Sequence, residues 1–137
     1  LWVLDEYYKV QSSAEDLMVA LDEFRKVYGS GPVFCDKSEP ESIEKFKRGL
    51  PERRISPFQA EPYPYKREDG LRELGARFAK AGDGKPRFFI SNHCVNAISE
   101  LLDYKIEVKE RDHAVDAIRY GIPLNSRLEI NPAWVFG

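Results

Sequence analysis

Two carboxylates and an imidazole fall on one helical turn in Asp112-His113-Ala114-Val115-Asp116-Ala117-Ile118-Arg119-Tyr120. At 3.6 residues per turn, Asp112 and Asp116 (i, i+4) and His113 and Asp116 (i, i+3) are neighbours. Ala117, Ile118 and Tyr120 give the same segment apolar surface with which to dock. Adjacent acids repel, so the pattern asks for a cation between them. A further carboxylate, Asp36, follows the apolar run Val33-Phe34-Cys35. A fold that brought Asp36 and Asp116 within about 8 Å would build a divalent-metal site, because two ions about 4 Å apart can activate a water and stabilise the leaving oxygen in phosphodiester cleavage. Mg2+ and Mn2+ suit such a site, being hard cations that take carboxylate oxygen and keep several waters. Each residue also has a plainer reading. Asp36 can cap the next helix or turn the chain, and Asp112 can be an N-cap instead of a ligand. His113 can ligate, orient a carboxylate, or make only a local hydrogen bond at the helix start.

Other chemistry finds less support. His93 precedes Cys94 at a helix start, and a zinc site of His93, Cys94 and Cys35 lacks the close ligand spacing that such sites use. The two cysteines read as buried thiols of a reducing cytoplasm. Gly82-Asp83-Gly84-Lys85 has neither the glycine spacing nor the Lys-Ser/Thr ending of a phosphate loop. No Ser-His-Asp arrangement with supporting context is visible. The net charge of -2 does not advertise a nucleic-acid binder, but local clusters matter more than the total. Lys45, Lys47, Arg48, Arg53 and Arg54 form one basic cluster, and Lys105, Lys109 and Arg111 form another beside the acidic helix. Solvated surface is the bland reading of each; for Lys109 and Arg111 their position makes phosphate contact the sharper one.

The elements that must position these groups alternate between strand and helix. Residues 1–10 read as a strand, and Ser12 or Ser13 can cap a helix reaching about Tyr28, with Gly29 just past its end. Residues 33–35 form a short apolar strand that should lie inside a sheet. Ser38-Glu39-Pro40-Glu41 reads as a capping box opening a helix that buries Ile43 and Phe46. Residues 54–59 suggest a strand interrupted by Pro57, and Glu61-Pro62-Tyr63-Pro64-Tyr65 an extended connection. A helix over residues 69–80, a strand over 87–90 and a helix from Ser91 or Asn92 lead to the acidic helix. From Pro123 the pattern dissolves, so residues 123–137 read as a tail. Such alternation implies an α/β fold with parallel strands, whose ligands gather at the carboxyl ends of strands, where Asp36 falls. At 137 residues the chain is one domain with room for a core, and its 42% hydrophobic content excludes disorder. No apolar run approaches the ~18 residues that span a bilayer, and no signal peptide is visible. Starting at Leu1 within a strand, the chain reads as a fragment or a processed piece.

Four segments, in order, resemble the nuclease domain of the large terminase subunit of tailed bacteriophages, the motor that packages and cuts viral DNA. Trp2-Val3-Leu4-Asp5-Glu6-Tyr7-Tyr8 is similar to a strand ending in Asp-Glu-Tyr, and Val33-Phe34-Cys35-Asp36-Lys37-Ser38-Glu39-Pro40 to an acid-bearing strand followed by Ser-x-Pro. Ile90-Ser91-Asn92-His93-Cys94, with Ile98-Ser99-Glu100-Leu101 and Tyr104, resembles an Ile-Ser-x-x-Cys…Glu-Leu…Tyr segment. The stretch from Val108 to Tyr120 resembles the most specific signature. The resemblance implies an RNase H-like mixed sheet flanked by helices over residues 1–122, and two-metal hydrolysis of double-stranded DNA with Mg2+ or Mn2+. Asp36 and Asp116 would then hold the metals, His113 would stand beside them, and Asp112 would support. The family's first catalytic Asp lies on a strand upstream of residues 2–8, so the first N-terminal strands are expected to be missing. The implied partners are DNA, an ATPase domain, a small terminase subunit and a portal, in the cytoplasm of an infected bacterium and not the mature virion, with no membrane. Two other classes compete: a DNA-binding or assembly domain without catalysis, and a receiver-like module in which Asp36 accepts a phosphoryl group and Asp5-Glu6 imitates the acidic pair.

Overall fold

The computed structural model describes residues 1–105, 112–122 and, for the backbone alone, 134–136. In chain order the elements are β1 (Trp2–Val3), α1 (Ala14–Tyr28), β2 (Pro32–Cys35), α2 (Pro40–Arg48), β3 (Gln59–Pro62), α3 (Arg67–Phe78), β4 (Phe89–Ile90), α4 (Val95–Asp103), α5 (His113–Tyr120) and β5 (Trp134–Phe136), with a 3-10 turn at Pro51–Arg53. The fold is mixed α/β, with five helices and two small parallel sheets among the described residues. No helix among them is long and apolar enough to cross a membrane. The chain divides into two compact units, Leu1–Tyr8 with Tyr65–Asn125, and Lys9–Pro64 with Ser126–Phe136.

In the second unit β2 is the interior strand, flanked by β3 and β5 and parallel to both. Parallel neighbours cannot be joined by a hairpin, and α2 provides the crossover from β2 to β3. Two faces of hydrophobic residues meet over this sheet: Met18 and Leu21 of α1, and Ile43 and Phe46 of α2, pack with Val33, Cys35, Phe58 and Ala60. Ser13 caps α1, its hydroxyl accepting from Asp16 N while the Asp16 carboxylate accepts from Ser13 N. Past α2 the chain reverses at Gly49, whose φ of +74° and whose approach to Ile55 O (2.6 Å from an ideal Cβ) leave no room for a side chain.

In the first unit β1 and β4 pair in parallel, Trp2 opposite Phe89 and Val3 opposite Ile90. Beneath them, Leu74 of α3, Cys94 and Ala97, and Val115, Ile118 and Ile122 form a separate core cluster. Trp2 and Phe89 stack on the outer face with ring centroids 4.3 Å apart.

Several sequence expectations shift. The strand expected over residues 1–10 covers only Trp2–Val3, the two residues that pair with the equally short β4. The strand expected at 54–59 falls instead at Gln59–Pro62: Arg54 is left-handed (φ 57°) and Ile55 bridges back to Leu50, which holds this stretch in a turn. Pro62 then ends an edge strand, where a missing donor is tolerated. The expected capping box at Ser38 does not form, since Glu39 occupies the N-cap position without a side-chain bond. Trp134–Phe136 adds a strand within the stretch that the sequence leaves as a tail.

Candidate functional site

Asp36 is the first residue after β2, at the carboxyl end of the interior strand. Its Oδ1 accepts the backbone N–H of Ser38 at 2.8 Å, and its carbonyl accepts Glu39 N at 3.1 Å. The carboxylate therefore organises the turn into α2, as the plainer reading allowed, and one oxygen remains without a partner among the described residues. Burial, and after it the Asp36 charge, push the neighbouring Cys35 thiol up to about 12. Cys94 is pushed up to about 11, first by burial and then by Glu6 and Asp5. Both thiols are buried and stay protonated at neutral pH, which leaves neither as a ready thiolate ligand.

The acid-bearing helix is α5, in the other unit. It keeps Val115 and Ile118 buried, and this sets which residues turn outward: His113 is exposed, while Asp112 and Asp116 are partly so. Asp112 sits at the N-cap position but its side chain makes no cap bond. The cation beside Asp116 is Arg119, one turn on, whose Nη2 and Nε donate to Asp116 Oδ1 at 3.0 and 3.2 Å. Arg119 is buried to 4% exposure and lies over the Tyr120 ring at 4.6 Å. A buried guanidinium needs such a counter-charge, so this pair fixes the Asp116 carboxylate and leaves Oδ2 unbonded among the described residues.

The N–H groups that open these helices are met by carboxylates from a distance. Glu6 accepts from Asn96 N (2.9 Å), Ala97 N (2.8 Å) and Asn96 Nδ2 (3.1 Å), closing the start of α4. Glu100 on α4 accepts from Ala114 N at 2.6 Å, and more weakly from Val115 N at 3.4 Å, closing the start of α5. Nearby, Arg67 Nη2 donates to the Tyr104 hydroxyl at 2.8 Å. Burial pushes that hydroxyl up, Arg67 opposes the shift, and the Asp116 and Asp112 charges add to it.

The structure also aligns Ser91, His93 and Asp5, which the sequence does not suggest. Ser91 Oγ lies 2.7 Å from His93 Nδ1, and Asp5 Oδ1 lies 3.3 Å from His93 Nε2. The His93 side chain is 56% exposed. The N–H groups of Ser91 and Cys94 are already bonded, to Val3 O and Ser91 O, so they cannot serve as oxyanion donors. The trio fastens the loop from β4 to α4.

The structure thus gathers Asp112, His113 and Asp116 on one helical turn in one unit and places Asp36 in the other. Lys109 and Arg111 lie outside the described residues. The donor chemistry of Asp36, Asp112 and Asp116 suits Mg2+ or Mn2+, being carboxylate oxygen with partial access to solvent. Among the described residues, no three His, Cys, Asp or Glu side chains gather closely enough to hold an ion. The sequence gives no role to Arg119 or Glu100, and to Glu6 only that of one member of an acidic pair. Glu100 carried a signal: it falls on the stripe of Ala97, Leu101 and Tyr104, a lone carboxylate on an otherwise apolar helix face. No protein-family model, curated protein or solved structure matches the chain.

Proposed function

We propose that this chain belongs to a metal-dependent DNA endonuclease of RNase H-like fold, the nuclease domain of a large terminase subunit that cuts concatemeric viral DNA during packaging. The observation that carries the reading is the placement of Asp36 at the carboxyl end of the interior strand of a parallel sheet, where α/β folds collect their ligands, with one carboxylate oxygen uncommitted among the described residues. The clustering of Asp112, His113 and Asp116 on α5, together with the four motif segments in order, supports it.

In this reading Asp36 and Asp116 would serve as metal ligands, and bound Mg2+ or Mn2+ would supply an activated water and a stabilised leaving oxygen. Arg119 fixes the Asp116 carboxylate through Oδ1. The exposed His113 imidazole orients water or a carboxylate beside the metals, and Asp112 supports them with a side chain free of capping work. Lys109 and Arg111 take the DNA phosphates, so binding weakens with salt at every sequence. Double-stranded DNA, an ATPase domain, a small terminase subunit and a portal are the partners, in the cytoplasm of an infected host.

The Asp116–Arg119 pair favours one alternative, a DNA-binding or assembly domain of the same motor without catalysis, because it commits one oxygen of a would-be ligand to protein. The receiver-like reading loses support from Glu6, whose carboxylate is spent on α4. Plasmid cleavage by the full-length protein decides between these. Cutting with Mg2+ or Mn2+ that EDTA abolishes, and that Asp36→Asn and Asp116→Asn each reduce to background, is the expected result. Retention of full activity in Asp36→Asn would remove the nuclease mechanism, and salt-sensitive DNA binding without cutting would establish the assembly reading.

A further inference from the structure

Glu100 is a carboxylate buried to 2% exposure with both oxygens engaged. Oε2 receives the first N–H groups of α5, Ala114 N and Val115 N, and Oε1 receives the Tyr8 hydroxyl at 2.9 Å. An α-helix leaves its first four N–H groups unpaired, and normally a residue at the N-cap meets one or two of them. Asp112 occupies that position and does not. Its work is done by a residue on the preceding helix. A carboxylate is well suited to it, because the helix dipole puts partial positive charge at this end and a buried anion needs charged or dipolar partners. The support behind Glu100 is of the same kind: Glu6 holds the start of α4, and Tyr8, two residues on, holds Glu100 itself.

We propose that Glu100, braced by Tyr8 and by the Glu6 cap on α4, is the positioning residue that sets the first turn of α5 and so the placement of His113 and Asp116. Segment Asp5–Tyr8 thereby acts on the acid helix through α4. Capping from a distance has a second consequence, since it leaves the Asp112 carboxylate outside the hydrogen bonding of the helix start. The consequence for cutting rests on the nuclease reading, whereas the consequence for α5 does not. Small displacements of reacting groups are costly: outer residues that orient metal ligands typically contribute about 10–100-fold in affinity or activity.

The test uses the full-length protein carrying Glu100→Ala, Glu100→Gln or Tyr8→Phe, with hydrogen exchange read by mass spectrometry on peptides covering residues 112–120 and α1. Glu100→Ala should speed exchange in 112–120 by about tenfold or more, as expected for N–H groups that lose their acceptor, and leave α1 unchanged. DNA cleavage should lose about 10–100-fold in kcat with KM for DNA little altered. Glu100→Gln keeps one accepting oxygen and should fall between wild type and Ala. Tyr8→Phe should give the smallest change in the same direction, and these two variants carry the test if Glu100→Ala does not fold. Unchanged exchange in 112–120, or faster exchange spread equally over α1, overturns the proposal. Local exchange as expected in a protein whose wild type never cuts DNA would sustain the positioning role and remove the nuclease reading. Local exchange as expected with wild-type kcat in Glu100→Gln and Glu100→Ala would overturn the role of Glu100 in catalysis.

Discussion

Asp36 and Asp116 are carried by different kinds of structure. Asp36 directly follows a strand whose backbone is bonded on both sides and whose neighbours are aliphatic and aromatic, so hydrophobic packing and the sheet ladder place it. Asp116 rides on a helix of eight residues whose start is closed by a buried carboxylate and whose acid is clamped by a buried arginine. A short helix is marginal by itself, because nucleation costs several fixed dihedrals for each early hydrogen bond. Polar anchors at both the backbone and the side chain make good that deficit. The contrast teaches that one candidate acid should respond to core volume and the other to charge.

The largest expected effect tests the strand side. Phe46 is buried to 2% exposure and meets Phe58 edge-on at 6.4 Å. Phe46→Ala should cost roughly 3–5 kcal/mol in denaturant titration, the usual range for emptying an aromatic core site. A loss below about 1 kcal/mol would mean that the α2 packing does not hold this sheet.

Next comes the charge side. Asp116→Asn removes a carboxylate charge from beside the buried Arg119 guanidinium, while the amide oxygen can still accept one bond. About 1–2 kcal/mol of stability should be lost, below the full cost of breaking a buried pair because Asp116 keeps 24% side-chain exposure. Relief of the repulsion between neighbouring acids offsets part of this loss. Asp36→Asn has no such partner among the described residues and should shift stability by no more than about 0.5 kcal/mol. Equal melts for the two variants would erase the distinction drawn between them.

Smaller still is the loss of a helix cap by the ordinary local route. Ser13→Ala removes the hydroxyl that closes α1 and should cost about 1 kcal/mol. A thermal melt checks it, and a cost matching that of Phe46→Ala would show that the second unit also leans on polar anchors.

The smallest effect at neutral pH concerns titration. The Arg25 bond, ahead of Lys26, holds the buried Asp22 carboxyl below its ordinary value. A depressed folded-state pKa gives stability that is complete above the unfolded value of about 3.9 and is lost as pH falls through the folded value. Wild type should therefore lose stability on acidification below about pH 4, and Asp22→Asn should lose less over that window. Parallel acid limbs in the two melting profiles would assign the acid sensitivity elsewhere.

Some of this was legible because local rules and the tertiary fold agree. α1 has the Ser13 cap, apolar residues at helical spacing and Gly29 at its end, and all three survive in the structure. Val33-Phe34-Cys35 is wholly apolar, and a short run with no polar face suits an interior strand, which β2 is. Asp36 after β2 and the acids on α5 followed from those two periodicities. Where the readings slipped, a partner outside the motif decided. Asp36, two residues upstream, takes Ser38 N in place of a capping box. Nothing near Trp134 shows that β2 has an open side to pair with.

The sequence by itself determined the mixed α/β class, the interior strand bearing Asp36 and the helical turn bearing Asp112, His113 and Asp116, because period and residue type are properties of neighbouring residues. Only the tertiary structure decided what each acid is bonded to. Glu100 reaches 14 residues along the chain to α5 and Glu6 reaches 90 to α4, while Arg119 turns inward to claim Asp116. Those choices depend on which polar groups burial strips of water together, and burial is settled by the packed chain as a whole.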